Sequence, residues 1–322
     1  MDNRGDERRA PRPATERLDW VDVARGIGIV AVVVGHIWTR GGVRDAMYSF
    51  HMPLFFLLSG MLARPQSSGA FARRLLAAQM RSYAAWLVLL ILADRTIERM
   101  KGGVPIFHQW PGDLWAVLLG GSWLRGPFTI FWFVPCLIVA RIVFTLLIGR
   151  LPDPLDRRWS LILLPVVALA YGLGWWTDVS PLGLLSVPMA VVLLWVGKAW
   201  GQVRWRRAMI VPLALLSAAG LAGVFPTLNM KAGDYGWPVL SMAAGVATSL
   251  LVFRLSSRIA PVAAPLAALG RASLTIMYVH VAVIHYLTPY LGRPWLLALA
   301  LAGPWGLSML IARSSLARRW LG

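Results

Sequence analysis

An all-α fold that crosses a membrane about ten times, with both termini cytoplasmic, is predicted by three observations. Of the 322 residues, 58% are hydrophobic and only 14% are charged, whereas an average soluble domain carries about 25% charge. Mean hydropathy is +0.63. The apolar residues gather in repeated runs of about twenty, the length that spans a bilayer core as a helix. This composition excludes a disordered chain, a disulfide scaffold and an ordinary soluble enzyme. Runs of this length also exclude an outer-membrane barrel, whose strands alternate over about ten residues. The single cysteine, Cys136, lies inside an apolar run, so neither an intrachain disulfide nor a Cys-based metal site is available.

Residues 1–18 are polar, rich in Arg and Pro, and lack the apolar region of a signal peptide; they are expected to form a disordered cytoplasmic tail. A transmembrane domain over 19–313 follows, then a short basic tail over 314–322. The ten candidate helices cover about 19–39, 48–63, 75–97, 128–149, 159–176, 181–199, 208–225, 236–254, 266–290 and 295–312. The second is short for a full span and begins at Phe50-His51-Met52-Pro53. The stretch from Phe107 to Trp123 carries Trp110, Trp115 and Trp123 and reads as an interfacial segment, because Trp prefers the headgroup level. An eleventh, short insertion is the other reading. No internal repeat of the kind found in many transporters is visible.

The chain holds 32 Lys+Arg against 14 Asp+Glu, a formal charge of +18. In a soluble protein that excess would suggest nucleic acid. Here 20 of the basic residues fall in the inner segments and 8 in the outer loops, the bias expected of cytoplasmic loops. Most of the charge therefore orients the helices. A multi-pass protein of the inner (plasma) membrane is expected, with the lipid bilayer and no nucleic acid as partner. The remaining 4, Arg25, Arg81, Arg141 and Arg271, fall within spans.

An arginine inside a span costs about 2.5 kcal/mol or more, so it faces a polar interior and a partner. At a rise of about 1.5 Å per residue, all four lie in the inner third. His36, His51, His280 and His285 fall in the outer half of their spans. Arg25 and His36 are eleven residues apart, close to three turns, which places them on one face about 16 Å apart. Asp22, one turn before Arg25, lies on the same stripe and is placed to pair with it. An anionic ligand with a long flexible arm could rest its phosphates among the arginines and point its reactive end at His36. That arrangement suits an acyl-CoA from the cytoplasm and an acceptor from outside.

The run Leu18-Asp19-Trp20-Val21-Asp22-Val23-Ala24-Arg25-Gly26-Ile27-Gly28-Ile29, continuing to Val33-Val34-Gly35-His36, resembles the first helix of the membrane-bound acyltransferase-3 family, and most of all its fucose 4-O-acetylase-like members. The family's Arg/Lys-x10-His signature maps onto Arg25 and His36. Tyr48-Ser49-Phe50-His51-Met52-Pro53-Leu54-Phe55-Phe56-Leu57-Leu58-Ser59-Gly60 is similar to the second-helix motif. Weaker matches are Arg73 to Tyr83, where Ser82 replaces a frequent Pro, then Phe131-Trp132-Phe133-Val134-Pro135, and Leu269-Gly270-Arg271-Ala272-Ser273-Leu274 running on to His280. The resemblance implies an integral-membrane O-acyltransferase moving acetyl from cytoplasmic acetyl-CoA to a hydroxyl of a cell-envelope or exported carbohydrate or glycolipid. The chain ends a few residues after its last span, so the membrane module without a C-terminal esterase-like domain is expected.

On this reading His36 and Arg25 are catalytic, with His36 as general base; a transient acetyl-imidazole is the rival mechanism. Arg25, Asp22, Arg81 and Arg271 bind the donor, although arginines near a cytoplasmic helix end also snorkel. His51, Trp132 and His280 face the acceptor; for Trp132, membrane anchoring is the competing role. Arg141 is expected to be structural, His285 to pack, and His108 to sit in a loop. Ser59-Gly60 suits close helix packing better than nucleophilic chemistry. Histidines without carboxylates at ligand spacing do not predict a metal site. No permanently bound cofactor is expected, only acetyl-CoA as co-substrate. The alternative is a secondary transporter or flippase for an anionic solute or lipid-linked sugar, with the arginines as its path; it lacks a repeat and an acidic residue deep in a span. A non-catalytic scaffold leaves the arginines unexplained.

Overall fold

The computed structural model describes residues 14–65 and 68–322. Among these the chain is helical, with one isolated β-bridge between Asn229 and Asp234. The helices in order are α1 (Ala14–Ile37), α2 (Gly42–Tyr48), α3 (His51–Met61), α4 (Ser68–Lys101), α5 (Asp113–Leu119), α6 (Phe133–Arg150) and α7 (Arg158–Trp176). They continue with α8 (Val187–Trp200), α9 (Ile210–Leu221), α10 (Leu240–Ile259), α11 (Ala264–Arg271), α12 (Ser273–Leu287), α13 (Arg293–Arg313) and α14 (Ser315–Leu321). All ten expected segments are helical. Seven are long and apolar enough to cross a membrane alone, and the bent pair α11–α12 makes an eighth. The other two, α3 and α9, are shorter. The expected tail over 1–18 lies largely outside the described residues, and α1 already begins at Ala14.

Helix lengths follow from composition and depth. α4 has 34 residues, about 51 Å at the α-helical rise, well beyond a hydrocarbon core of about 30 Å. Its first turns therefore carry exposed Arg73 and Arg74 beyond the apolar layer. Outward-facing Leu161, Leu164, Val211 and Leu215 are exposed, as lipid-facing side chains should be. The segment expected as one helix over 266–290 is two, bent by 81° at Ala272. No Pro marks that break; Gly270, two residues before it, lies against the Asp22 carbonyl. At the inner end, α14 docks on α4: Arg81 Nε donates to the Arg319 carbonyl at 2.8 Å, and Trp86 Nε1 to that of Leu321 at 3.1 Å. The Asp22–Gly26 stretch of α1 meets α11 at the same end, where Arg271 and Arg318 line one cavity.

Lipid tails offer no hydrophobic force between helices, so close packing at small residues does the work. Two such crossings organise the bundle. In the first, α1 lies against α11: a Cβ on Gly26 would overlap the Leu266 carbonyl, and one on Gly270 would overlap that of Asp22. In the second, Gly60 of α3 presses on the Leu194 carbonyl of α8, and Gly197 of α8 on that of Leu57. Gly60 is thus a packing residue, in keeping with the small-residue reading of Ser59-Gly60. Between these crossings a buried apolar core runs through Ile29, Val32, Val33, Leu54, Phe56, Leu57 and Ile276.

Replacing Gly270 by Ala forces α1 and α11 apart, and overpacking of this kind costs about 1–3 kcal/mol. The melting temperature of detergent-solubilised protein should fall accordingly. Gly149→Ala in α6, where a Cβ meets open space, is the control and should not lower it. An unchanged transition in Gly270→Ala would refute the close crossing.

Candidate active site

Two polar clusters sit at opposite ends of α1. At the inner end the glycine crossing brings Arg25 of α1 and Arg271 of α11 to one carboxylate. Arg25 Nη1 lies 3.6 Å from Asp22 Oδ1, and Arg271 Nη1 lies 3.7 Å from Asp22 Oδ2. The carboxylate is mostly buried, while the two guanidiniums are 41% and 59% exposed. One acid thus holds two cations, leaving a net positive charge open to an anionic ligand. Arg141 of α6 is near enough to Arg25 for their charges to repel, and its guanidinium lies 5.7 Å from the Phe71 ring. It also lines a cavity of about 80 Å³ with Ser59, Arg64 and Thr145. Arg271 additionally walls a larger inner cavity of about 400 Å³, together with Thr275, Trp305, Ser308 and Arg318. Arg81 does not join Asp22; its recorded partners are the Arg319 carbonyl and the Trp320 ring of α14.

The outer cluster is built from chain segments far apart in sequence. A cavity of about 120 Å³ is lined by His36 at the end of α1, Tyr48 and His51 on α2 and α3, Thr129 and Trp132 before α6, and Asn229 and Lys231 before α10. Each histidine is set by the carbonyl four residues before it, within α1 for His36 and at the end of α2 for His51. Nδ1 of His36 lies 2.8 Å from the Val32 carbonyl, and Nδ1 of His51 lies 2.7 Å from that of Met47. A carbonyl only accepts, so Nδ1 carries the proton and Nε2 of the neutral ring holds the basic lone pair. His280 makes the same bond, to Ile276 at 2.7 Å, but it is fully buried and does not line the cavity. Its ring stands edge-on to His36 with centroids 5.0 Å apart. It is therefore behind His36, not on the cavity wall where the acceptor was expected to meet it. His51 and Trp132 are on that wall.

Three site-shaping residues escaped sequence reasoning. Lys231 reads as one of the outer-loop cations, yet its Nζ donates to Thr129 Oγ1 at 2.7 Å and to the Leu124 carbonyl at 3.2 Å. Burial lowers its pKa to about 8, so it is still mostly charged at neutral pH. Tyr48 packs on His51 and lies beneath the Arg44 guanidinium, which is 4.3 Å from the ring centroid. Asp94, near the outer end of α4, is 1% exposed. It accepts from Tyr286 Oη at 2.5 Å and from the Ile106 amide at 2.8 Å, tying α4 to α12 and to the loop at Ile106, whose neighbour Phe107 packs on Phe128 just before Thr129. The only signal for Asp94 was an acid placed before a long outer loop. His285 stands edge-on to Tyr286, with centroids 4.9 Å apart. His108 lies in the loop, its Nδ1 2.9 Å from the Pro105 carbonyl.

Asp94→Ala strands the Tyr286 hydroxyl and one backbone amide, and hydrogen bonds to a charged group are worth about 1.5–3 kcal/mol each. A lower melting temperature and faster proteolysis of the 102–125 loop are expected. Tyr286→Phe should cost less, and the two changes should be non-additive in a double-mutant cycle.

A family model described as an acyltransferase domain matches residues 18–313. No curated protein matches, and no solved structure does.

Proposed function

Because the chain belongs to this membrane acyltransferase family, we propose that it is an O-acetyltransferase in which His36 serves an acetyl group delivered from the cytoplasmic side. Acetyl-CoA is the donor, and a hydroxyl of a cell-envelope or exported carbohydrate or glycolipid is the acceptor. Arg25 and Arg271, spread around Asp22, pair with donor phosphates. The cavity shared by Arg271 and Arg318 receives the nucleotide end. Arg81 contributes to the donor side through α14, which it holds in place and which carries Arg318. The acceptor enters from the outer side against His51 and Trp132, with His280 steadying His36 from behind. An inner (plasma) membrane location accords with the basic inner loops.

One observation carries this reading: α1 holds a cationic cluster and a fixed-tautomer histidine on one face, about 16 Å apart along the helix. A phosphate-anchored pantetheine arm is a flexible chain suited to bridging that gap. His36 keeps its proton on Nδ1 against Val32, so Nε2 takes the proton of the attacking hydroxyl. Loss of that proton as the new C–O bond forms spares the acceptor an alkoxide, and such general-base help is worth about 10²–10⁴-fold.

Radiolabelled acetyl-CoA supplied to inside-out membrane vesicles should label a polysaccharide fraction. His36→Ala should lower the rate by about 10²–10⁴-fold while the protein stays in the membrane. Arg25→Ala should act on the donor, raising KM for acetyl-CoA about 10–100-fold, the equivalent of one or two charge-assisted bonds. Wild-type labelling retained in His36→Ala would remove His36 from the reaction.

A further inference from the structure

Lys231 is the only Lys or Arg among the described residues that line the outer cavity. It sits in a short turn, Met230–Ala232, that is held from several directions. Ser186 Oγ donates to the Met230 carbonyl. Asn229 and Asp234 exchange backbone bonds at 2.8 and 3.1 Å. Gly233 closes the turn with φ of +70°, a conformation that suits glycine. Its backbone packs against Gly174, where a Cβ would overlap the Gly233 carbonyl. The ammonium is therefore placed by a rigid frame.

An ammonium carries three protons. Thr129 Oγ1 and the Leu124 carbonyl accept two, and both acceptors are neutral. Among the described residues no third acceptor and no ion-pair partner engages Nζ. A half-buried cation with no counter-charge is costly to keep, and its spare N–H lies beside the cavity that His36 also lines. That cavity has a volume of about 120 Å³ and is also lined by His51, Trp132 and Asn229.

We propose that Lys231 is a further catalytic residue of the acyl transfer, its free N–H meeting the acetyl carbonyl oxygen as that oxygen becomes negative. The inference rests on the acetyl transfer proposed for His36. The acceptor oxygen bonds to the thioester carbon and gives its proton to His36 Nε2. The carbonyl π pair moves onto oxygen and is held by Lys231. When that pair returns, the C–S bond breaks; the thiolate of CoA leaves and takes the proton from His36. Each charge that appears has a partner in the cavity. A donor aimed at a developing oxyanion acts mainly in the transition state, and losing one costs about 10²–10³-fold in kcat.

Lys231→Gln tests this, because the amide keeps two N–H donors for Thr129 and Leu124 while removing the charge and the third proton. Purified protein in detergent is given acetyl-CoA and a mixture of methyl hexosides, and CoA thiol release is followed. The expected result is a loss of about 10²–10³ in kcat with KM for acetyl-CoA within about threefold of wild type. Lys231→Arg, which restores the charge, should recover at least about a tenth of the rate. If Lys231→Gln turns over within about threefold of wild type, or its loss falls in KM alone, Lys231 does not serve the oxyanion. If Gln does not yield folded protein, the Arg variant decides: folded Arg protein as slow as His36→Ala overturns the charge role. Wild type that releases no CoA overturns the acetyl-transfer reading itself, a result distinct from an active wild type matched by Lys231→Gln.

Discussion

Asp22 is the carboxylate on which the inner half of the molecule depends. It lies one helical turn from Arg25 on its own helix and faces Arg271 across the tightest crossing in the bundle. Without it, two guanidiniums would be driven together by a backbone contact that leaves no room to separate. With it, the cations are held but not neutralised, since one negative charge serves two positive ones. The glycines that set the crossing are the chain neighbours of the arginines: Gly26 follows Arg25, and Gly270 precedes Arg271. Close approach and charge placement are thus written in the same two dipeptides. An arginine within a span is expensive, and here the expense is met by a partner that a ligand phosphate can share.

The outer half works differently. Among the described residues no ion pair organises the histidines; each is held by a bond from Nδ1 to the carbonyl four residues back, within one helix for His36 and His280 and from α2 to α3 for His51. The restraint is local in sequence in all three. The cavity around His36 is then completed by loops, which are held by Asp94 on one side and by the Ser186 and Asn229 contacts on the other. Rigid helices supply the histidines, and pinned loops supply the walls and the cation.

How much of this was legible in the sequence depended on whether a relation was local. Arg25, Asp22 and His36 share one helix, so helical arithmetic placed them correctly on one face. The ten helical segments followed from apolar run length. The break at Ala272 did not: 266–290 reads as one apolar run, and the Gly270 contact on the Asp22 carbonyl beside the break joins segments some 250 residues apart. Lys231 looked like any outer-loop lysine for the same reason: its partners, Leu124 and Thr129, lie more than 100 residues away. Arg81 was read as a donor-site residue from its depth and from the resemblance of Arg73 to Tyr83; its contact with α14 was not legible, because Arg319 lies 238 residues away. His280 was assigned to the outer layer, but its burial behind His36 depends on how α12 leans on α1.

The short helix α3 has a consequence for how the protein is made. Its 11 residues reach about 16 Å, roughly half a hydrocarbon core, and its two closest backbone approaches, at Gly60 and Gly197, are with α8. During synthesis α8 emerges more than a hundred residues later. Until then α3 lacks the length to be held by lipid as an independent span, and has only α1 and α2 to pack on. Its close seat on α8 can form only once Gly197 has been made. Maturation of the His51 wall of the cavity is therefore tied to a late step in biogenesis, although His51 is among the first residues to enter the membrane.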